Sequence, residues 1–155
     1  MPRDQITQFS SGFEKLHLSR CDLARRAGDE GVYLAAGDQA GMLWPRSVGT
    51  LLIRSAAVVE QTIHGMTVRL WDDPFEWTLP ERLPAVADLI AYFEEVESAR
   101  QRGFKFLRSD DDLNKSIPAP VELKTLEHLL TDALNLSKKH FTDAETVFLS
   151  IKALA

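Results

Sequence analysis

The chain has very little cysteine: Cys21 is the single one among 155 residues. An intramolecular disulfide and a metal cage built from several thiolates are therefore both excluded. Apolar runs are also short. None approaches the roughly 20 residues that cross a bilayer, and the first residues contain no apolar stretch of signal-peptide length. These absences predict a soluble cytoplasmic protein that does not enter a membrane.

Clustered positive charge is missing as well. The net charge is −5, from 18 Lys and Arg against 23 Asp and Glu, and the basic residues are scattered along the chain. Nucleic-acid binding is not expected, because it depends on grouped Lys and Arg that displace counterions from phosphates. With 45% hydrophobic and 26% charged residues, the composition is that of a globular protein. The length suits one domain over residues 1–155.

Apolar residues recur in four stretches at the spacing of amphipathic helices, about 3.6 residues. No segment shows the alternation of a strand. Four helices that must each bury a face predict an all-α protein, a four-helix bundle with long crossing connections at 28–46 and 71–83. Ser47 or Thr50 is expected to cap the second helix. The predicted helices cover residues 4–27, 48–70, 84–103 and 122 onwards, the last without a break at 142.

Four polar residues fall on the inner side of the predicted helices. His17 and Arg20 are in phase with the apolar residues of the first helix, Ser55 with those of the second and His140 with those of the fourth. Buried polar groups are costly unless they are paired. Two interpretations stay open. The residues either share a pocket for a small polar or anionic ligand, or each of them reaches backbone or solvent separately.

Other candidates have simpler interpretations. Glu60 and His64, like His128 and Asp132, have the i, i+4 spacing of a metal-chelating or a surface pair. Both pairs lie toward polar flanks, so solvated pairs are expected. Cys21 is expected to be a buried small apolar side chain. The aromatic residues of the connections are expected to fix loops to the bundle or to offer apolar surface: Trp44, Trp71, Phe75 and Trp77.

Three longer stretches follow one another in a distinctive order. They read WPRSVGTLLIRSAAVVEQ at 44–61, LRSDDDLNKSIPAP at 107–120 and KTLEHLLTDALNLSKKHF at 124–141. They resemble the capped second helix, the acidic turn followed by prolines, and the last helix of the DinB/YfiT-like superfamily of helical bundles. The resemblance spans nearly the whole chain. It implies the fold of that family and, because many members pair, a homodimer.

The resemblance also implies a place for a divalent metal. Members usually hold the metal with three histidines, one from the second helix and two from the fourth. The fourth-helix pair falls on Leu136 and His140. The second-helix histidine falls on Arg54 or Ser55, and helix phase favours Ser55. One ligand of three is present, so the site is degenerate, and tightly bound Zn, Ni or Fe is not expected.

Two functions follow from these observations. The one favoured by the number of ligands is a non-catalytic bundle that binds a small molecule or a protein partner. The alternative, which the resemblance implies, is a divalent-metal-dependent enzyme of the thiol S-transferase or hydrolase type, with a site rearranged around His140. His17, Glu60 and His64 are the possible additional ligands of that site. The predicted pocket consists of His17, Arg20, Ser55, Leu136 and His140.

Overall fold

Four long helices make up most of the described chain. The computed structural model describes residues 2–35, 46–74 and 80–154. The prediction of an all-α protein with four helices is confirmed. The helices are α1 (Asp4–Gly31), α2 (Val48–Val68), α3 (Val86–Phe104) and α4 (Leu126–Leu154), and short 3-10 turns cover Pro80–Arg82 and Asp110–Asn114. Within these residues, none of the helices has both the length and the apolar composition needed to span a bilayer.

The helix α1 continues past its predicted end. Gly28 was expected to terminate it, and Gly28 does have a left-handed φ of 71° that side chains with a Cβ rarely adopt. The chain nevertheless resumes helical geometry afterwards, and the N–H of Val32 donates to the carbonyl of Gly28 at 2.9 Å. The predicted end was wrong: Gly28 kinks α1 and does not stop it.

Local capping fixes the start of α2. The hydroxyl oxygen of Ser47 accepts the N–H of Thr50 at 3.1 Å, which confirms Ser47 as the cap. The backbone of Ser47 also pairs with that of Ala35, and the N–H of Gly49 donates to the carbonyl of Val32 at 2.6 Å. The two ends of the first connection are therefore held together.

A contact from another helix contributes to the start of α3. The helix begins at Val86, two residues after the Pro84 start that was predicted. Asp88 accepts the N–H of Ala85 at 3.1 Å, and Asp29 of α1 accepts the N–H of Val86 at 2.8 Å. The first of these bonds is local to the sequence. The second depends on how α1 and α3 lie together.

Two short strands precede α4, so the prediction that no strand forms was wrong. The strands β1 (Ser116–Pro118) and β2 (Leu123–Thr125) pair antiparallel. Pro118 and Pro120 favour extended chain in this region, and the side chain of Ile117 is buried. Extended backbone with one anchored side chain therefore forms a small hairpin instead of an irregular loop.

The helix α4 begins at Leu126, four residues later than predicted, and passes residue 142 without a break, as predicted. It packs mainly against α2, while α3 packs against both α1 and α2. The inward faces of the helices meet in one hydrophobic core. Its fully buried apolar side chains include Phe13, Leu52, Phe93, Leu113 and Leu130.

An aromatic side chain fixes the start of the second connection, as expected. The ring of Trp71 lies directly over Gly65 of α2, where a Cβ atom would come within 2.4 Å of the ring. The side-chain amide of Gln61 donates to the carbonyl of Trp71 at 2.9 Å. The other aromatic residues predicted for this role lie outside the described residues: Trp44, Phe75 and Trp77.

Candidate functional site

Arg20 of α1 places a guanidinium in the centre of the bundle, where the residue is 1% exposed. Its Nη1 donates to the hydroxyl oxygens of Ser55 on α2 and Ser137 on α4, both at 3.2 Å. The ring of Phe93 on α3 has its centroid 5.8 Å from the guanidinium carbon. One side chain therefore contacts the other three helices. We call this group the Arg20 junction.

The two serines of the Arg20 junction also join α2 to α4 directly. The hydroxyl of Ser55 donates to the carbonyl of Ser137 at 2.9 Å, and the hydroxyl of Ser137 donates to the carbonyl of Ser55 at 2.7 Å. Both hydroxyl oxygens are thereby left to accept from Arg20. Ser137 was missed as a candidate, although it has the inward phase of the fourth helix.

The electrostatics of the core follow from burial. Desolvation lowers the pKa of Arg20 to about 10, against the opposing influence of Glu97, so its guanidinium is still protonated at neutral pH. Glu97 itself is buried and paired with Arg100, whose Nη1 also donates to the hydroxyl of Ser10 at 2.7 Å. Among the described residues, the interior thus contains two guanidinium groups and one carboxylate, which make hydrogen bonds.

His17 lies one helical turn before Cys21 on α1, and both residues are buried. The sulfur of Cys21 is 4.0 Å from each ring nitrogen of His17, and Nε2 of His17 is 3.6 Å from a carboxylate oxygen of Glu94 on α3. Burial lowers the pKa of His17 and raises that of Cys21. In the described ranges this is the one group of three or more His, Cys, Asp or Glu side chains with donor atoms within 4.8 Å of one another.

His140 lies elsewhere, in a groove of about 190 Å³ between α2 and α4, the α2–α4 groove. Ser137 has the inward position on α4. Each residue advances a helix by about 100°, so His140, three residues later, has advanced by about 300° and points about 60° to one side of Ser137. His140 is half-buried, and Leu136 is 45% exposed. The groove is lined by Arg54, Ala57, Val58, Gln61, Asp73, Leu136 and His140.

The residues of the predicted pocket lie in three different places in the described structure. Arg20 and Ser55 meet in the core, as the inward position of each residue on its own helix suggested. His17 lies beside Cys21 and Glu94, whereas Leu136 and His140 line the α2–α4 groove. Helix phase identifies which residues avoid solvent, but residues on one inward stripe can still face different neighbours.

The α2–α4 groove brings together the positions that the resemblance assigns to a metal, if α2 contributes Arg54. Ser55, which helix phase favoured, instead points into the Arg20 junction. Leu136 has no donor atom, and a guanidinium stays protonated in proteins. Apart from His140, Asp73 is the one His, Cys, Asp or Glu side chain lining this groove in the described chain. These residues do not fit a tight metal site.

Positive charge surrounds His140. Burial lowers the pKa of His140, and Lys139 and Arg54 act in the same direction, so its imidazole is neutral at neutral pH. Asp143 opposes them, but its carboxylate lies 3.3 Å from the guanidinium of Arg46 and 3.4 Å from the ammonium of Lys139. Three basic side chains therefore act on His140 against one acidic side chain, while the carboxylate of Asp73 also lines the α2–α4 groove.

The remaining predicted residues, at the two i, i+4 spacings, lie in different surroundings. Glu60 and His64 line a wider groove of about 530 Å³ between α2 and α3, where Glu60 accepts the hydroxyl of Tyr92 at 2.8 Å. His128 and Asp132 are exposed, with their charged atoms 2.9 Å apart. Within the described part of the chain, neither pair belongs to a group of three or more His, Cys, Asp or Glu donors within 4.8 Å of one another.

Comparisons of the chain with protein-family models, with curated proteins and with solved structures find no match. The DinB/YfiT-like resemblance therefore rests on the three sequence stretches and stays a prediction. Any function has to be inferred from the residues that the fold brings together.

We expect Ser55→Ala to lower the free energy of unfolding by about 1–3 kcal/mol, because it leaves the Ser137 carbonyl without its donor and removes an acceptor of Arg20. The matched control is Ser150→Ala, which removes an exposed hydroxyl bonded within α4 at 3.0 Å and should change stability by less than about 0.5 kcal/mol. Urea unfolding followed by circular dichroism measures both. Equal effects would contradict the structural importance of the Arg20 junction.

Proposed function

We propose that the protein is a non-catalytic, DinB/YfiT-like bundle that binds a small anionic molecule in the α2–α4 groove. One observation carries this proposal. If Arg54 is the second-helix position, the three positions that the resemblance assigns to metal ligands line this groove, and they supply a guanidinium, an aliphatic side chain and one imidazole. A guanidinium binds carboxylate and phosphate oxygens directly, with planar and directional donors. Arg54 thus provides fixed positive charge where relatives would hold an ion.

The dimensions and lining of the groove define the class of ligand. Its volume of about 190 Å³ is below the roughly 300–1,000 Å³ of pockets that hold drug-sized molecules. The lining combines three apolar side chains with four polar ones: Ala57, Val58 and Leu136 with Arg54, Gln61, Asp73 and His140. A compact molecule with an oxyanion at one end and a short carbon chain at the other matches this lining.

The donor set argues against a metal-dependent reaction at the same place. Zn²⁺ and similar ions need three or four converging donors to displace their water shell. His140 and Asp73 would supply two, and the nearby charge of Arg54 repels a cation. We therefore favour binding of an anion over metal-dependent transfer or hydrolysis in the α2–α4 groove.

Calorimetric titration of the untagged chain with inorganic phosphate and a series of short carboxylates tests this proposal. At low ionic strength we expect binding of at least one of them, weakened about tenfold or more in Arg54→Gln, because charge-assisted hydrogen bonds contribute about 1.5–3 kcal/mol. Arg26→Gln is the matched control, since Arg26 is a half-exposed arginine that pairs with Asp22 on α1. Absence of binding by every anion, or equal weakening in both variants, would contradict the proposal.

A gain of metal binding tests the DinB/YfiT-like arrangement separately. Arg54→His combined with Leu136→His places three imidazoles around the groove with His140, and we expect this variant to retain one equivalent of Zn²⁺ or Ni²⁺ through dialysis. Ser55→His combined with Leu136→His is the control. It should retain none at the groove, because Ser55 points into the core. Elemental analysis measures both, and the reverse result would contradict the assignment of Arg54 to the ligand position.

We also propose that two copies pair, as the resemblance implies. Apolar side chains near the ends of α2 and α3 support this proposal: Phe106 is 75% exposed, Val68 58% and Leu70 56%. Sedimentation equilibrium is expected to give twice the 17.4 kDa of one chain, with a shift toward single chains in Phe106→Ser. Leu149→Ser, at an exposed apolar site on α4, is the control. The mass of one chain at all concentrations would contradict pairing.

A further inference from the structure

We propose that His17, Cys21 and Glu94 bind a divalent transition-metal ion, with Zn²⁺ the best match, between α1 and α3. These residues share none of the side chains that line the α2–α4 groove. The proposal therefore does not depend on the anion-binding function, and the two can be tested separately. We call this group the His17 cluster.

The geometry of the His17 cluster is close to that of a metal site. His17 and Cys21 are four residues apart, so α1 presents both on one face, and α3 supplies Glu94 opposite them. In a tetrahedral zinc site the donor atoms lie about 3.4–3.6 Å from one another, given metal–ligand distances of about 2.0–2.3 Å. The observed distances are 4.0 Å from sulfur to ring nitrogen and 3.6 Å from Nε2 to the carboxylate. These two distances would have to shorten by about half an ångström or less, and the sulfur and the Glu94 carboxylate lie within 4.8 Å of one another. The imidazole would also have to rotate, because the sulfur is equally far from both of its nitrogens.

The contacts of the His17 imidazole indicate that its ring nitrogens lack a strong bonding partner. Buried polar groups are almost always well hydrogen-bonded. His17 is 4% exposed, yet its ring nitrogens contact the Cys21 sulfur and the Glu94 carboxylate at distances longer than good hydrogen bonds. Glu97, buried nearby, is by contrast tightly paired with Arg100. A metal ion between the three donors would satisfy the imidazole fully.

The types of donor select the ion. Thiolate and imidazole favour Zn²⁺ and its neighbours over Mg²⁺ and Ca²⁺, which prefer oxygen ligands. Binding replaces the thiol proton of Cys21: the S–H bond breaks, a sulfur–metal bond forms and the proton passes to solvent. The Glu94 side chain is 60% exposed, so a water molecule can complete the coordination from that side. Glu97 and Glu94 favour positive charge at His17, and Arg20 and Arg100 oppose it.

Titration of the untagged, metal-free chain with Zn²⁺, and with Co²⁺ as a spectroscopic probe, tests the His17 cluster. We expect one equivalent to bind and Co²⁺ to show a thiolate charge-transfer band. Glu94→Gln should weaken Zn²⁺ binding by at least about tenfold, because even residues that only support a ligand change affinity by that much. The matched control Glu95→Gln removes the neighbouring exposed carboxylate of α3 and should leave affinity unchanged.

Cys21→Ser should abolish the cobalt band. Because Cys21 is buried, folding is checked by circular dichroism, and the exposed Glu94→Gln substitution decides the question if the serine variant does not fold. Zn²⁺ should raise the melting temperature of the original chain and of Glu95→Gln more than that of Glu94→Gln. The proposal is overturned if the original chain binds no Zn²⁺, if Glu94→Gln binds as tightly as Glu95→Gln, or if the band persists without Cys21.

Discussion

Solvation of a buried cation constrains how the four helices can pack. Removing a guanidinium from water costs on the order of several kcal/mol, so Arg20 needs acceptors inside the core. Ser55 and Ser137 can supply them because each serine proton already bonds the opposite helix's carbonyl. If α4 slipped by one residue, Ser137 would turn about 100° away from Arg20. The Arg20 junction thus specifies the register of α2 against α4, and the ring of Phe93 adds α3 to the same contact.

Nη1 of Arg20 and the hydroxyls of Ser55 and Ser137 bond one another or backbone carbonyls, and the candidate sites lie outside the junction, between different pairs of helices. The two sites have opposite character. In the α2–α4 groove, Arg54 supplies a fixed positive charge with directional donors, which suits an oxyanion. Between α1 and α3, sulfur, nitrogen and oxygen donors converge from Cys21, His17 and Glu94, which suits a cation. A single bundle can therefore separate an anion site from a cation site by the choice of helix pair.

Patterns between residues close together in the sequence predicted most of the fold. Helical periodicity predicted four helices and the continuity of α4 past residue 142, and Ser47 was one of two caps expected from its side chain. Two of the errors occurred where distant residues act on the chain. The start of α3 depends partly on Asp29 of α1, and the hairpin before α4 is anchored by burial of Ile117. The partners in these contacts lie far away in the sequence.

The candidate sites, like the fold, were predictable only in part from the sequence. The sequence by itself determined that Arg20 and Ser55 avoid solvent, because the helical period assigns each residue a direction relative to its own helix axis. The tertiary structure alone decided which helix each direction meets. It placed Arg54 beside His140, and it brought Glu94 of α3 to His17 although Glu94 had no distinguishing pattern. The helical period in the sequence determines the direction of each side chain around its own helix axis. A binding site between two helices depends in addition on the distance between the helices and on their rotation relative to each other.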